Sequence, residues 1–259
     1  MKQSLLWKLS KDQHQDSFLV GTMHVKSESA FNRLNQIIKL LGEVDLFAAE
    51  YDLDILSSSG KQGDMMMSQG KHIRDMVTPA RYKRLKKQLD KSFGINIDQL
   101  GRFLPLILVN FISESTLEKD FNLPLDMHLW KHAKEEGLST IGIESYDSQI
   151  EIIKKIKLKH QVKMITEIAR NPAKFRKNIL RMAEWYRQEE IIKLYKNGKK
   201  SLGKYKDLLL KNRNYIIAER FEELTRDHKT LFAFGAGHLA GKDGVLKLLK
   251  DKDWKLKAI

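Results

Sequence analysis

One pattern occurs at both ends of this 259-residue chain: an apolar strand, a Gly-x-x-His turn, a helix and a second strand. The first copy spans 17–50 and the second 230–259. A short strand that is apolar along its whole length is buried on both faces, the habit of a parallel sheet covered by helices. One such unit at each terminus constrains the chain to a sheet assembled from both ends. The fold class read from the sequence is therefore α/β: a mixed, largely parallel sheet with a large helical insertion. The echo also places its two histidines on adjacent strands of that sheet.

The rest of the chain fits this frame. Leu5–Leu9 and Ser17–Val20 read as strands joined by a hairpin loop at 12–16. Phe31, Leu34, Ile37, Ile38 and Leu41 have helical spacing over Glu28–Leu41, with Gly42 as the stop. Val44–Glu50 is the next strand, so 17–50 is a β-α-β unit with an expected right-handed crossover. Residues 51–70, with Ser57-Ser58-Ser59-Gly60, read as loop. Helices are predicted at 79–92, 98–113 and Leu125–Glu136, the last stopped by Gly137. Ser139–Glu144 is a short strand. The stretch 147–227 is helical by spacing, with Pro172 and Gly198 as its breaks. Thr230–Phe234, a helix from Asp243 to Lys250 and a strand at Trp254–Ile259 complete the chain. The expected organisation is one domain over 1–259, within which 147–227 is a helical, basic insertion.

Charge is concentrated in that insertion. Residues 151–213 hold 19 Lys/Arg against 6 Asp/Glu, a net of +13 within a chain total of +14. Such a segment attracts phosphate or anionic lipid, although a solvated lysine-rich helix face has the same composition. No RNA- or DNA-binding motif accompanies it, so nucleic acid is an unlikely partner. There is no cysteine, which removes disulfides and thiolate metal sites. The most apolar window, Phe103 to Ile112, is half the length of a membrane span and reads as a buried helix. Lys8 interrupts the N-terminal apolar run, so no secretory signal is expected and the cytoplasm is the expected location.

Four chemically capable residues fall at predicted strand ends: His24, Glu50, Glu144 and His238. In an open α/β sheet, ligands bind outside the carboxyl ends of the strands. Gly21, Gly235 and Gly237 let the chain turn there and leave backbone close to a substrate. Two imidazoles with one or two carboxylates suit either a divalent first-row metal or general acid–base chemistry. Other features carry less. His128 and His132 sit four apart on a predicted helix, but no glutamate follows the first histidine as in a zinc helix. Asp126 suits a helix cap or a hydrogen bond to a site residue equally well. Met65-Met66-Met67, flanked by glycines, suits a mobile loop or an apolar lid.

Blocks spread along the chain resemble the TraB/GumN family, which includes the TIKI proteases. They are Gly21-Thr22-Met23-His24-Val25, Ala49-Glu50, Leu125-Asp126, Gly142-Ile143-Glu144, Arg213-Asn214 and Gly235-Ala236-Gly237-His238-Leu239-Ala240-Gly241. The resemblance implies a fold akin to the erythromycin-esterase and ChaN-like group. For its TIKI branch it implies metal-dependent peptide hydrolysis that needs two histidines and a glutamate, here His24, His238 and Glu50. On that reading these three hold a divalent ion (manganese, cobalt or zinc), Glu144 is a further ligand or general base, and Arg213 stabilises an oxyanion. Asn214 either joins the substrate-binding set beside Arg213 or only supports Arg213. A metal-free version has a histidine activate water and Arg213 bind the oxyanion. The competing reading is a binding protein that holds a peptide, a metal or an iron-containing cofactor without turnover.

Overall fold

Six strands form one sheet among the described residues, and the strand Thr230–Gly235, from near the end of the sequence, lies inside it. In chain order they are Leu6–Ser10 (β1), Ser17–Thr22 (β2), Leu46–Ala49 (β3), Ser139–Gly142 (β4), Thr230–Gly235 (β5) and Lys255–Ala258 (β6). The sheet order is β4-β3-β5-β2-β1-β6. The inner pairs β4/β3, β3/β5 and β5/β2 are parallel, whereas β1 pairs antiparallel with both β2 and β6. This is the mixed, largely parallel sheet expected, drawn from both ends. The two strands that carry the Gly-x-x-His turns are neighbours, with Thr22 opposite Gly235. The β2 and β3 strands, expected as one β-α-β unit, are parallel but have β5 between them. The computed structural model describes residues 3–57 and 61–259; Ser58-Ser59-Gly60 of the expected loop lie outside the described residues.

Burial follows position in the sheet. Strand β2 is buried at all six residues and β5 at all but Gly235, as central parallel strands must be. At the edge, β6 alternates exposed Lys255 and Lys257 with half-buried Leu256 and Ala258. Exposed lysines on an edge strand discourage pairing with a second chain.

The helices are Leu34–Leu41 (α1), Pro79–Phe93 (α2), Ile97–Leu100 (α3), Pro105–Glu114 (α4), Leu125–Glu135 (α5), Tyr146–Lys154 (α6), Leu158–Arg170 (α7), Pro172–Arg187 (α8), Ile191–Leu202 (α9), Asn212–Asp227 (α10) and Val245–Asp251 (α11). The chain clusters into two compact units. One comprises Met1–Leu53, Lys119–Tyr146 and Met182–Ile259; the other comprises Asp54–Glu118 and Asp147–Arg181.

The first unit holds the sheet. Phe221 of α10 packs on Phe232 of β5, with ring centroids 4.4 Å apart, and on Trp254. Trp130 of α5 covers Phe47 of β3. The second unit is helical, and α2, α4 and α7 bury Leu89, Leu108, Ile112 and Ile165 completely. Gln161 is also fully buried, and its amide is fully used: it accepts from Leu106 N–H and donates to the carbonyls of Ile153 and Ile156. A buried amide left unpaired would destabilise this core by about 1–3 kcal/mol.

Several local expectations are corrected. Pro105 starts a helix at its first position, so the stretch 98–113 is two helices instead of one. Gly198 lies inside α9 and breaks nothing; the chain turns at Glu189 and Gly203, both with positive φ (58° and 53°). The methionine run is neither lid nor loose loop: Met67 is 4% exposed in the helical unit's core, and Met66 makes an isolated β-bridge to Phe103. His72 is buried and caps the turn at Ile73–Met76 through its ring Nδ1. No helix among the described residues is long and apolar enough to cross a membrane.

Candidate active site

The sheet register brings the strand-end residues together. Ala49 lies opposite Gly142 on β4, and hydrogen bonding continues past the ends of both strands, with Glu144 N–H donating to the Glu50 carbonyl (2.9 Å). The two glutamates are therefore side by side where β3 and β4 end. Gly142 permits this close approach, because a Cβ there would lie 2.6 Å from the backbone nitrogen of Asp52. On the other side of β3, the Gly235 N–H donates to Glu50 Oε1 at 2.7 Å. Gly21 has both backbone groups engaged, its N–H on the Leu5 carbonyl and its carbonyl on the Tyr186 hydroxyl. A Cβ at Gly21 would meet Leu239 at 2.6 Å. Gly237 has open space at its Cβ position, within the turn Ala236–His238 that carries the histidine.

Arg213, in the first turn of α10, joins the glutamates. Its Nη2 donates to Glu50 Oε2 (2.7 Å) and Glu144 Oε2 (2.6 Å), and its Nε donates to both oxygens of Glu144 (2.8 and 3.2 Å). The planar guanidinium is what allows one cation to serve two carboxylates in this way. The Glu144 side chain is 2% exposed and that of Arg213 is 13% exposed. Burial alone would raise the Glu50 carboxyl, but the Arg213 charge, His238 and the Gly235 N–H outweigh it and lower its pKa to about 2. Burial would also weaken the Arg213 charge, yet the two carboxylates hold it above its ordinary range. Glu50 and Arg213 are both ionised throughout the physiological range.

The two histidines are each held through Nδ1. His238 Nδ1 lies 2.5 Å from Asn214 Oδ1, and its Nε2 faces Arg213 Nη1 at 3.5 Å. His238 is buried, and burial together with the Arg213 charge lowers its pKa to about 4, against a smaller pull from Glu50. It is a neutral imidazole at neutral pH. His24, on the loop after β2, contacts Asp126 through Nδ1 at 2.7 and 2.9 Å. Its side chain is 45% exposed. Asp126 is thus a partner of a site histidine; Pro124, not Asp126, occupies the cap position of α5.

Two tyrosines complete the surroundings, and neither was singled out for the site from the sequence. Tyr51 follows Glu50 directly and packs on Tyr146. Burial, then the charges of Asp126 and Glu50, push its phenol well above the ordinary range, so it stays protonated. Its signal was adjacency to a strand-end carboxylate. Tyr186 is distant in sequence, and no local pattern marks its hydrogen bond to Gly21.

A profile of the TraB/PrgY/gumN family matches residues 5–258, nearly the whole chain. The chain belongs to this family. The chain is 20% identical to "Metalloprotease TIKI2" of Xenopus tropicalis, over 98% of this chain and 59% of that protein. It is 22% identical to "Metalloprotease TIKI2" of Danio rerio, over 98% of this chain and 60% of that protein. This TraB/PrgY/gumN chain therefore spans about six-tenths of the length of these relatives. No solved structure matches it.

The relatives' name implies a metal, and the residues present can be tested against one. Among the described residues, no group of three or more His, Asp or Glu side chains converges to hold an ion. Glu50, Glu144 and His238 meet instead at the guanidinium of Arg213. The oxygens of both glutamates already accept from Arg213 or Gly235, so a divalent cation would have to displace Arg213 to be held by these carboxylates. The side chains as placed do not fit a metal held jointly by His24, Glu50 and His238.

Proposed function

We propose that this chain is a hydrolase, a peptidase by substrate class, with its site at the carboxyl ends of β2, β5, β3 and β4. The observation that carries this reading is the pairing of a neutral, oriented imidazole at His238 with a fixed cation at Arg213. Pure structural support would not require a histidine kept neutral beside a buried charge.

The roles follow from the groups. His24, oriented by Asp126, takes a proton from the attacking water, in the arrangement of a base held by a carboxylate. The His238 Nε2 lone pair accepts a hydrogen bond from the same water and aligns it. Arg213 Nη1, whose contact among the described residues is the long one to His238, donates to the oxyanion as water adds to the carbonyl. The C–N bond then breaks and His24 returns its proton to the leaving amine. Glu50 and Glu144 keep Arg213 in place, and Gly235 keeps Glu50 in place. A second reading, a peptide-binding protein without turnover, draws on the saturation of the Glu50 and Glu144 oxygens by Arg213 and Gly235.

The deciding experiment follows cleavage of a quenched peptide library, analysed by mass spectrometry, by wild type and by His24→Ala and His238→Ala. Cleavage that both substitutions abolish and that survives chelation is the expected outcome. Cleavage abolished by chelator and restored by manganese, cobalt or zinc would instead assign a metal to His24, Glu50 and His238. Binding without cleavage would establish the second reading.

A further inference from the structure

A concavity lies beside Asn214, whose Oδ1 contacts His238. It encloses about 260 Å³ and is lined by Lys199, Lys206, Lys211 and Lys242, with Asp207, Asp243, Tyr195 and Leu210 between them. The basic segment noted in the sequence supplies three of its four lysines. We propose that this pocket is a binding site for a compact, soluble phosphate-bearing molecule carrying at least two negative charges.

Three features of the pocket point to such a ligand. Its lysines are not ion-paired: among the described residues none of the four lies within ion-pair distance of a carboxylate, although Asp207 and Asp243 share the lining, and Lys199 lies over the Tyr195 ring, 5.7 Å from its centroid. Four ammonium groups against two carboxylates leave a local excess of positive charge, which a multivalent anion neutralises. Lysine suits phosphate as a compact point charge with three donors.

The walls are also built rather than incidental. Asp207–Lys211 form a single π-helical turn directly before α10, a widening of the helix that tends to occur at functional positions. That turn brings Lys206, Asp207, Leu210 and Lys211 to one rim. The Tyr195 ring, also in the lining, lies over Gly241, where φ is +103° and a Cβ would fall within 2.7 Å of the ring. The glycine is what lets the aromatic wall close down. At the base, fully buried Asn214 donates from Nδ2 to the Asp243 carbonyl (2.6 Å) while its Oδ1 holds His238. A ligand here would sit one side chain from the candidate active site, but the proposal does not depend on catalysis there.

The test is titration calorimetry of the full chain with inorganic pyrophosphate. One saturable site is expected. The Lys206→Glu/Lys242→Glu double variant should weaken binding by more than about tenfold, the effect of roughly 1.4 kcal/mol. Lys255→Glu/Lys257→Glu, with the same change in net charge on strand β6, should bind nearly as wild type does. Equal weakening in both double variants, or no saturable binding in wild type, would overturn the site. Citrate matching pyrophosphate in affinity would overturn the assignment to phosphate. His24→Ala should bind pyrophosphate unchanged, so failure of the hydrolase reading and failure of this one are distinguishable. Unchanged thermal unfolding of the lysine variants guards against a folding artefact.

Discussion

Asn214 fixes the tautomer of His238. The Asn214 Nδ2 donates to the Asp243 carbonyl, which can only accept, so the atom facing His238 is the amide oxygen. The ring must therefore carry its proton on Nδ1 and present a lone pair at Nε2 to Arg213. Ring-nitrogen NMR at neutral pH should show Nδ1 protonated and Nε2 bare; the reverse tautomer would refute the assignment. Asn214→Asp sets a carboxylate against the ring and should raise the His238 pKa from about 4. Asn214→Ala removes the lock and should lower hydrolysis by about ten- to a hundredfold, as loss of orienting partners does elsewhere.

Acid should destabilise the fold in two steps. A histidine that titrates near 6.5 when unfolded but at about 4 when folded binds fewer protons in the native state between those values. Stability is then complete above pH 6.5 and falls as pH drops toward 4, by an amount on the order of 3 kcal/mol. Glu50, lowered from 4.5 to about 2, adds a loss between those pH values. Glu222, lowered to about 2 chiefly by Lys11 and Lys252 against its burial, shares that lower window. The upper window is the diagnostic one, although His128, lowered by burial, also contributes there. Urea unfolding at stepped pH should show a flatter profile between 6.5 and 4 for His238→Gln than for wild type.

Arg213 cannot be replaced by another cation. Arg213→Met leaves two carboxylates facing each other and should destabilise the protein by about 3–5 kcal/mol, the range for breaking a buried pair from one side. Arg213→Lys restores the charge but not the planar fork, so it should recover part of the stability and little of the activity. A loss in hydrolysis of about a hundred- to a thousandfold is expected in both. Full activity in Arg213→Lys would rule out the oxyanion role.

Two glycines should separate stability from activity. A Cβ at Gly235 would lie 3.1 Å from Glu50 Oε1, displacing a carboxylate that the backbone now holds. Gly235→Ala should lower kcat/KM by at least about tenfold with a stability loss under about 1.5 kcal/mol. At Gly21 the obstruction includes the Ala236 backbone at 3.0 Å as well as Leu239, so Gly21→Ala should destabilise by about 1–3 kcal/mol. Denaturant unfolding alongside peptide cleavage distinguishes the two.

The sheet was legible because its central strands β2, β3 and β5 are short, buried, largely apolar runs with clear stops, and periodicity reports that directly. The adjacency of β2 and β5 was legible from the echo alone. Helix breaks were less so: Gly198 looked like a stop and is not, whereas Glu189 turns the chain without being a turn residue. Its carboxylate, which pairs with Arg33 and accepts from Leu5 N–H (3.2 Å), offsets the strain of its positive φ. The site residues were visible as strand ends, but their relations were not. Nothing local shows that Arg213 binds residues 163 and 69 positions away, or that it occupies the place where three candidate metal donors meet.

The strand order carries a consequence for biosynthesis. Strands β4 and β3 form one pair and β2 and β1 another, and β5 alone joins them. Until residues 230–235 leave the ribosome, the nascent chain has two separate strand pairs with exposed apolar edges and no route to a continuous sheet. The residues before Thr230 must wait for the central strand. Such a chain depends on protection from self-association during synthesis, and nonsense truncation anywhere before Thr230 should leave a product that never completes its sheet.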